Sequence, residues 1–196
     1  MGCSDEQRRG LILSCASRLF DEHGAAKTTI ADIAREAGIG VGSVYLEFCS
    51  KDAIVAELSR SRHHRVIASM MQAAGSEHPS YESRIEAVLL ARLTAFLSLA
   101  SEGAHAPELV HCTLKTVREN HSRFLDEERA FLTRLLEEGV ASGELDADDC
   151  DAVARAIQIA HGALSPPVLY ELDPNEAQQD ARRLLSLVLR GVLKRR

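Results

Sequence analysis

The sequence contains no tryptophan and few other aromatic residues, with five phenylalanines and three tyrosines in 196 residues. A core must therefore be built mainly from Leu, Ile, Val and Ala, which suits packed helices. Hydrophobic residues still make up 45% of the chain, which is enough for a buried core and argues against wholesale disorder. Because the sequence also lacks a strand pattern, an internal repeat and a low-complexity segment, we predict an all-α fold.

Positive charge, paired cysteines and long apolar runs are also scarce. The formal net charge is −6, which argues against a protein coated in positive charge but leaves room for a local DNA-binding face. The five cysteines form no C-x-x-C pair and no zinc-finger spacing, as is typical of reduced proteins. No apolar run approaches the ~20 residues of a membrane span, and the polar N-terminus lacks the apolar segment of a signal peptide. We expect a cytoplasmic protein with no membrane partner.

Apolar residues recur at helical spacing along most of the chain. The spacing predicts about nine helices, an N-terminal group of three followed by a C-terminal helical bundle. We place them at about residues 6–23, 29–37, 41–48, 50–71, 81–100 and 107–114, then up to about 141, at 150–164, and from 174 onward.

Residues 28–51, TTIADIAREAGIGVGSVYLEFCSK, read as two short helices joined by a tight turn. Ala34 supplies the small residue needed where the helices cross, and Gly38 supplies a residue comfortable at positive φ. Thr29 and Asp32 have the spacing of a capping box. The apolar residues that would hold the pair to a core are Ile33, Ala37, Ile39 and Val44. A helix-turn-helix of this kind presents its second helix to the major groove of DNA.

An ordinary helical hairpin inside a bundle is the alternative interpretation of this segment. Each feature alone is common, but their joint occurrence with a short second helix favours DNA binding. Residues 8–54 also resemble the N-terminal domain of the TetR family of bacterial one-component repressors. The matching residues are Phe20, Gly24, Thr29, Ile33, Ala34, Ala37, Gly38, Gly42, Ser43, Tyr45, Phe48 and Lys51.

The resemblance implies a ligand-responsive transcriptional repressor that binds a palindromic operator as a homodimer and is released by a small-molecule effector. It divides the chain into a DNA-binding domain over residues 1–51 and a ligand-binding and dimerisation domain over residues 52–196. Hydroxyl groups of Thr29 and Ser43 are implied to contact phosphate, as are the Tyr45 O–H and the Lys51 ammonium group. Such contacts position a protein on DNA, while few side chains specify the sequence.

Val41 and Gly42 are implied to lie where base edges are read. Three neighbouring residues depart from the family pattern. Gly40 replaces a frequent Ser N-cap, so the second helix should start without a side-chain cap. Leu46 replaces a residue that is often polar or aromatic, and Glu47 puts a negative charge near the phosphates. These departures leave the operator sequence open.

The last two predicted helices carry broad apolar stripes, with Gly162 and Gly191 permitting close approach. The resemblance implies that these helices form the dimer interface. As candidates for lining the effector pocket we select large or polar residues on inward-facing stripes, which are Met70, Phe96, Leu97, His111, Phe131 and Tyr170. The sequence does not identify the effector.

No Ser/His/Asp or Cys/His arrangement and no glycine-rich phosphate loop is recognisable, so we expect no enzymatic activity and no cofactor. We also expect no metal site. His63 and His64 are adjacent and point about 100° apart on a helix, which makes them a poor pair of ligands. The histidines interpreted as isolated are His105, His111, His121 and His161. A helical enzyme or ligand carrier with a vestigial helix-turn-helix, an activator, and a nucleoid-type binder remain alternatives.

Overall fold

The computed structural model of the protein describes residues 5–111 and 114–189. Within these ranges it contains α-helices and short 3-10 helices, and no strand, which confirms the all-α prediction. The α-helices are α1 (Asp5–His23), α2 (Ile30–Glu36), α3 (Val41–Glu47), α4 (Lys51–Ala74), α5 (Tyr81–Ala100), α6 (Lys115–Ala141), α7 (Cys150–His161) and α8 (Pro174–Leu189). None of these helices is long and apolar enough to cross a membrane.

The described residues thus form eight α-helices rather than nine, and the difference lies at the short helix predicted for residues 107–114. This segment forms a 3-10 turn over Ala106–Leu109 instead. The carbonyl oxygen of Ala106 accepts a hydrogen bond from a guanidinium nitrogen of Arg62 at 2.6 Å, and Val110 N–H bonds to Pro107 only three residues back. A long-range side-chain contact therefore holds the segment in a turn too tight to extend far.

The chain forms two compact units. The first comprises residues 5–63, 99–111 and 114–121. In its core, α1, α2 and α3 pack with the first turns of α4, and the large buried side chains there include Phe20, Ile33, Phe48 and Ile54. Leu109 and Val117 join the same core, and Asn120 donates a hydrogen bond to the Ala56 carbonyl oxygen at 2.8 Å.

The second unit comprises residues 64–98 and 122–189. Its buried side chains are mainly aliphatic, as the shortage of aromatic residues predicted, with Phe96 and Phe124 meeting edge to face at 5.6 Å between ring centroids. Helices α7 and α8 pack against each other.

The functional division predicted at residue 51 falls inside the first unit and stays a prediction. The predicted close-approach residue Gly191 and the apolar residues Val192 and Leu193 lie outside the described residues.

Candidate functional site

The turn between α2 and α3 is closed by two backbone hydrogen bonds. Gly38 N–H donates to the Arg35 carbonyl oxygen at 3.2 Å, and Ile39 N–H donates to the Ala34 carbonyl oxygen at 3.0 Å. Gly38 has φ of 66°, in the left-handed region that glycine adopts without steric cost. This pattern ends a helix and redirects the chain sharply. The predicted requirement for positive φ at Gly38 is confirmed.

Thr29 and Asp32 form the predicted capping box at the start of α2. Asp32 N–H donates to Thr29 Oγ1 at 3.1 Å, and Thr29 N–H donates to Asp32 Oδ2 at 3.0 Å. The Thr29 hydroxyl donates to the same carboxylate oxygen at 2.6 Å, and these bonds lower the pKa of Asp32. Thr29 is therefore exposed but already engaged, so any phosphate contact must compete with Asp32 for its hydroxyl proton.

Helix α3 buries Val44 completely and exposes the opposite side. Val41 is 42% exposed and Tyr45 is 53% exposed. A methyl group added at Gly42 would meet nothing within 4 Å, so the surface there is open. Leu46, which we did not count among the contact residues from the sequence, is 79% exposed. Its spacing four residues after Gly42, which puts both on one face of the helix, could have revealed this exposure.

The beginning and end of α3 are held differently. Gly40 gives no side-chain cap at the N-terminus, as its lack of a side chain predicted. At the C-terminus, Arg8 donates from Nε to a Glu47 carboxylate oxygen at 2.8 Å, and this hydrogen bond raises the pKa of Arg8. Arg9 donates to the Glu47 backbone oxygen at 3.0 Å. The negative charge that we expected near the phosphates is therefore paired with α1.

Lys51, at the start of α4, holds the loop between α1 and α2. Its Nζ donates to the carbonyl oxygen of Ala25 at 2.6 Å and to that of Thr28 at 3.0 Å. Ser50 accepts a hydrogen bond from Ala53 N–H at 3.1 Å, which caps the new helix. An ammonium group has three N–H donors, so one remains for another acceptor. The phosphate contact of Lys51 stays a prediction.

Residues 1–51 contain six Lys/Arg and seven Asp/Glu, a net charge of −1. Most of these carboxylates lie in ion pairs, so little negative charge is left unbalanced at the surface. The pairs are Arg8–Asp5, Arg8–Glu47, Arg18–Glu36, Arg35–Asp32 and Arg62–Asp21. Ion pairing within the protein therefore reduces the electrostatic obstacle to binding a polyanion.

The candidates for an effector pocket are only partly brought together. Met70 and Phe96 are fully buried in the second unit, where half-buried positions are occupied by Leu97, Phe131 and Tyr170. His111 is exposed and belongs to the first unit, unlike the other five. The ligand-binding role of all six residues stays a prediction.

The interpretation of the histidines as isolated is wrong for two of them. The rings of His111 and His121 lie 6.2 Å apart between centroids, and those of His121 and His63 lie 5.6 Å apart. Sequence spacing missed this cluster because the three residues come from distant segments of the chain. No group of three or more histidine, cysteine or acidic side chains in the described ranges is placed to hold a metal ion.

Two short helices joined by this turn, with an exposed second helix above a buried core, define a helix-turn-helix DNA-binding domain. Residues 12–58 match the family described as bacterial regulatory proteins, tetR family. Over 194 residues the chain is 29% identical to the HTH-type transcriptional repressor KstR2 of Mycobacterium tuberculosis. This alignment covers 95% of this chain and 94% of that protein. Residues 12–58 therefore form a DNA-binding domain of the TetR family, and the chain as a whole is similar to transcriptional repressors of that family.

Solved structures show the same fold along nearly the whole chain. A transcriptional regulator from Cytophaga hutchinsonii superposes with a TM-score of 0.76 at 16% identity, covering 94% of this chain and 98% of that one. The regulator FadR from Bacillus subtilis, solved in complex with stearoyl-CoA, gives a TM-score of 0.69 at 18% identity and covers 93% of this chain and 98% of that one.

Proposed function

We propose that this regulator is a repressor that acts in the cytoplasm, where two copies bind a palindromic operator through α3. A small-molecule effector bound within residues 52–196 favours a geometry that does not fit the operator, and the dimer leaves the DNA. The observation that carries this proposal is the exposed face of α3, held above a buried core by the Gly38 turn and by the arginines of α1. The name of the KstR2 relative supports repression.

The DNA contacts divide into positioning and reading. Phosphates are bound by the hydroxyl groups of Thr29, Ser43 and Tyr45 and by the Lys51 ammonium group. Base edges are read at Val41 and Gly42, and the exposure of Leu46 adds it to this set. Because Val41 and Leu46 are apolar, they suit the methyl group of thymine rather than a hydrogen-bonding edge.

A homodimer through α7 and α8 is supported by apolar residues that a monomer leaves in water. Ile159 on α7 is 72% exposed and Leu187 on α8 is 67% exposed. Ala152 and Ala156 are exposed on α7 at helical spacing from Ile159, which allows close approach of a partner helix. A dimer is also needed because two recognition helices ~34–36 Å apart reach successive major grooves.

Binding of an effector in residues 52–196 is supported by the fold and by the mainly apolar residues buried there. FadR, which shares this fold, was solved with stearoyl-CoA. In this proposal residues 1–51 bind DNA, and residues 52–196 bind the effector and form the dimer. No catalytic step is part of this function.

The decisive experiment is a footprint on the DNA upstream of the protein's own coding region at moderate salt. Tyr45→Phe removes one hydroxyl from each subunit at an exposed ring and should weaken binding to specific and random DNA alike, by about fivefold for each bond worth about 1 kcal/mol and so by about thirtyfold for the dimer. Tyr81→Phe, in the second unit, is the matched control and should bind as the wild type does. Equal binding by both variants would remove Tyr45 from the interface.

Other outcomes would identify the alternative functions. The absence of any footprint there and on neighbouring promoters would favour a ligand carrier. Increased transcription on binding would indicate an activator, and random-sequence selection without a palindrome would indicate a nucleoid-type binder. Ile159→Arg should give a monomer in sedimentation and lose the footprint. If this variant stays dimeric, the dimer uses another surface.

A further inference from the structure

A group of polar side chains lies inside the mainly apolar second unit. We call it the polar cluster, and its members are Arg92 on α5, Glu128 on α6, Gln158 and His161 on α7, and Ser165. Arg92 and Glu128 form an ion pair with side chains only 4% and 2% exposed. Side chains from α5, α6 and α7, which lie 30 or more positions apart in the chain, therefore meet at one place.

Hydrogen bonds between side chains connect four members of the polar cluster, and Ser165 Oγ also donates to the backbone oxygen of the fifth, His161, at 3.1 Å. Arg92 donates to Glu128 and, from a terminal nitrogen, to Ser165 Oγ at 2.8 Å. Gln158 donates to the second carboxylate oxygen of Glu128 at 2.8 Å. The Arg92 guanidinium also lies 5.1 Å from the centroid of the Phe96 ring. The charges of Arg92 and Glu128 thus balance each other within the protein, and the Arg92 guanidinium group lies close to the Phe96 ring.

Burial of such a pair contributes little to stability. Removing two charges from water costs several kcal/mol per ion, and well-packed apolar residues of similar volume often stabilise a core as well or better. The other side chains buried in this unit are mainly aliphatic, so most of its core is built without charges. A role in recognition explains better than a role in stability why this unit contains the pair.

His161 has the feature that points to a ligand. Its side chain is buried, with 3% of the residue exposed, and Nε2 has no hydrogen-bond partner among the described residues. Burial, and then the charge of Arg92, lowers the pKa of His161 to about 4, so the imidazole is neutral at pH 7. Buried polar atoms in folded proteins nearly always have a partner. A neutral hydrogen-bonding nitrogen therefore lies beside an ion pair whose charges already balance.

We propose that the polar cluster recognises the effector, and that the effector is an apolar molecule with one uncharged hydrogen-bonding group, such as a hydroxyl or a carbonyl, that bonds to His161 Nε2. This inference rests on the proposed function. Arg92 and Glu128 already balance each other, so a carboxylate or an ammonium group brought to His161 would be buried without a counter-ion of its own, which an uncharged group avoids.

The test uses the full-length protein and four ten-carbon probes that differ in their polar end, namely decan-1-ol, decan-2-one, decanoate and decylamine. Calorimetry should show that the two uncharged probes bind at least about tenfold more tightly than the two charged ones, a difference of about 1.4 kcal/mol. With 15N-labelled histidine, the NMR signal of His161 Nε2 should shift on addition of decan-1-ol, which a merely structural histidine would not show.

His161→Phe removes the nitrogen and keeps a ring of similar size, and His23→Phe, at an exposed position, is the matched control. His161→Phe should lose at least about tenfold in affinity for decan-1-ol and fold as well as the wild type, because an unpartnered buried nitrogen is removed. His23→Phe should bind both uncharged probes as the wild type does.

Three results would overturn the inference. They are binding of decanoate or decylamine as tight as that of decan-1-ol, unchanged decan-1-ol binding by His161→Phe, and no binding of any probe. An operator footprint with the same preparations shows whether a failed result concerns the effector class or the proposed function as a DNA-binding repressor. A footprint without the expected probe selectivity removes only the effector class, whereas the absence of a footprint removes the proposed function.

Discussion

Arg9 donates a hydrogen bond to the backbone carbonyl oxygen of Glu47 at 3.0 Å, at the last residue of α3. The same guanidinium lies 4.2 Å from the centroid of the Phe48 ring and forms an ion pair with Glu57. The carbonyl end of a helix carries partial negative charge, so a cation bound there stabilises it. The recognition helix is thus fixed at its C-terminus by α1 and at its entry by the Gly38 turn.

Arg9→Met should loosen this attachment, because methionine keeps the packing on Phe48 but loses the hydrogen bond and the ion pair. We expect a loss of about 1 kcal/mol, seen as a fall in Tm of roughly 2–4 °C, and weaker operator binding. Arg183→Met, which removes an exposed ion pair on α8, should change stability by less than about 0.5 kcal/mol. Equal Tm values for the two variants would show that Arg9 does not hold the C-terminus of α3 in place.

Substitutions at two glycines near the start of α3 should affect protein stability and operator binding differently. The N-cap Gly40 has extended backbone geometry and space for a side chain, so Gly40→Ser should add a cap and stabilise the protein by a few tenths of a kcal/mol, about 0.3. Gly42→Ala should stabilise α3 by about 0.5–1 kcal/mol, because alanine loses less backbone entropy. Only Gly42→Ala should weaken operator binding, since its methyl group lies on the proposed base-reading face. Unfolding curves and gel shifts measure both effects.

The parts of the site that the sequence predicted correctly depend on residues close together in the chain. The capping box joins Thr29 to Asp32 and the turn requires glycine at position 38, so local stereochemistry determines both. The sequence did not reveal that Glu47 pairs with Arg8, because that contact spans 39 positions and depends on how α1 packs. The ion pair of Arg92 with Glu128 was missed for the same reason.

Lys51→Met tests whether Lys51 supports the loop as well as the DNA. Its hydrogen bonds to Ala25 and Thr28 would be lost, and two partly buried carbonyl oxygens would keep no ammonium partner. We expect a loss of about 1–3 kcal/mol in the free energy of unfolding, together with weaker binding to all DNA sequences.

The salt dependence of DNA binding separates these two roles of Lys51. If Lys51 contacts a phosphate, the slope of log K against log salt should decrease in magnitude by about one for each subunit, and so by about two for the dimer, in Lys51→Met. A loss of stability with an unchanged slope would leave Lys51 with the structural role alone.

The buried pair in the second unit predicts an asymmetry between single and double substitutions. Glu128→Ala leaves the Arg92 charge buried without its partner and should cost about 3–5 kcal/mol. The double variant Arg92→Met with Glu128→Leu replaces both charges by apolar groups and should be much less destabilised than Glu128→Ala. Chemical denaturation of the two variants provides the comparison. A double variant as unstable as Glu128→Ala would show that the pair stabilises the fold.

The neutral state of His161 makes the stability of the protein depend on pH. Its pKa is lowered to about 4 in the folded protein and is near 6.5 when unfolded, so between these values the unfolded chain binds more protons. Protonation of His161 therefore has no effect on stability well above pH 6.5, and the protein loses up to about 3 kcal/mol through this protonation as the pH falls from 6.5 towards 4. In His161→Phe this part of the acid sensitivity should disappear, while the contributions of other groups cancel in the comparison. Urea unfolding of both proteins at pH 7.5, 6 and 5 measures the difference, and parallel stability curves would show that His161 is not held neutral by its surroundings.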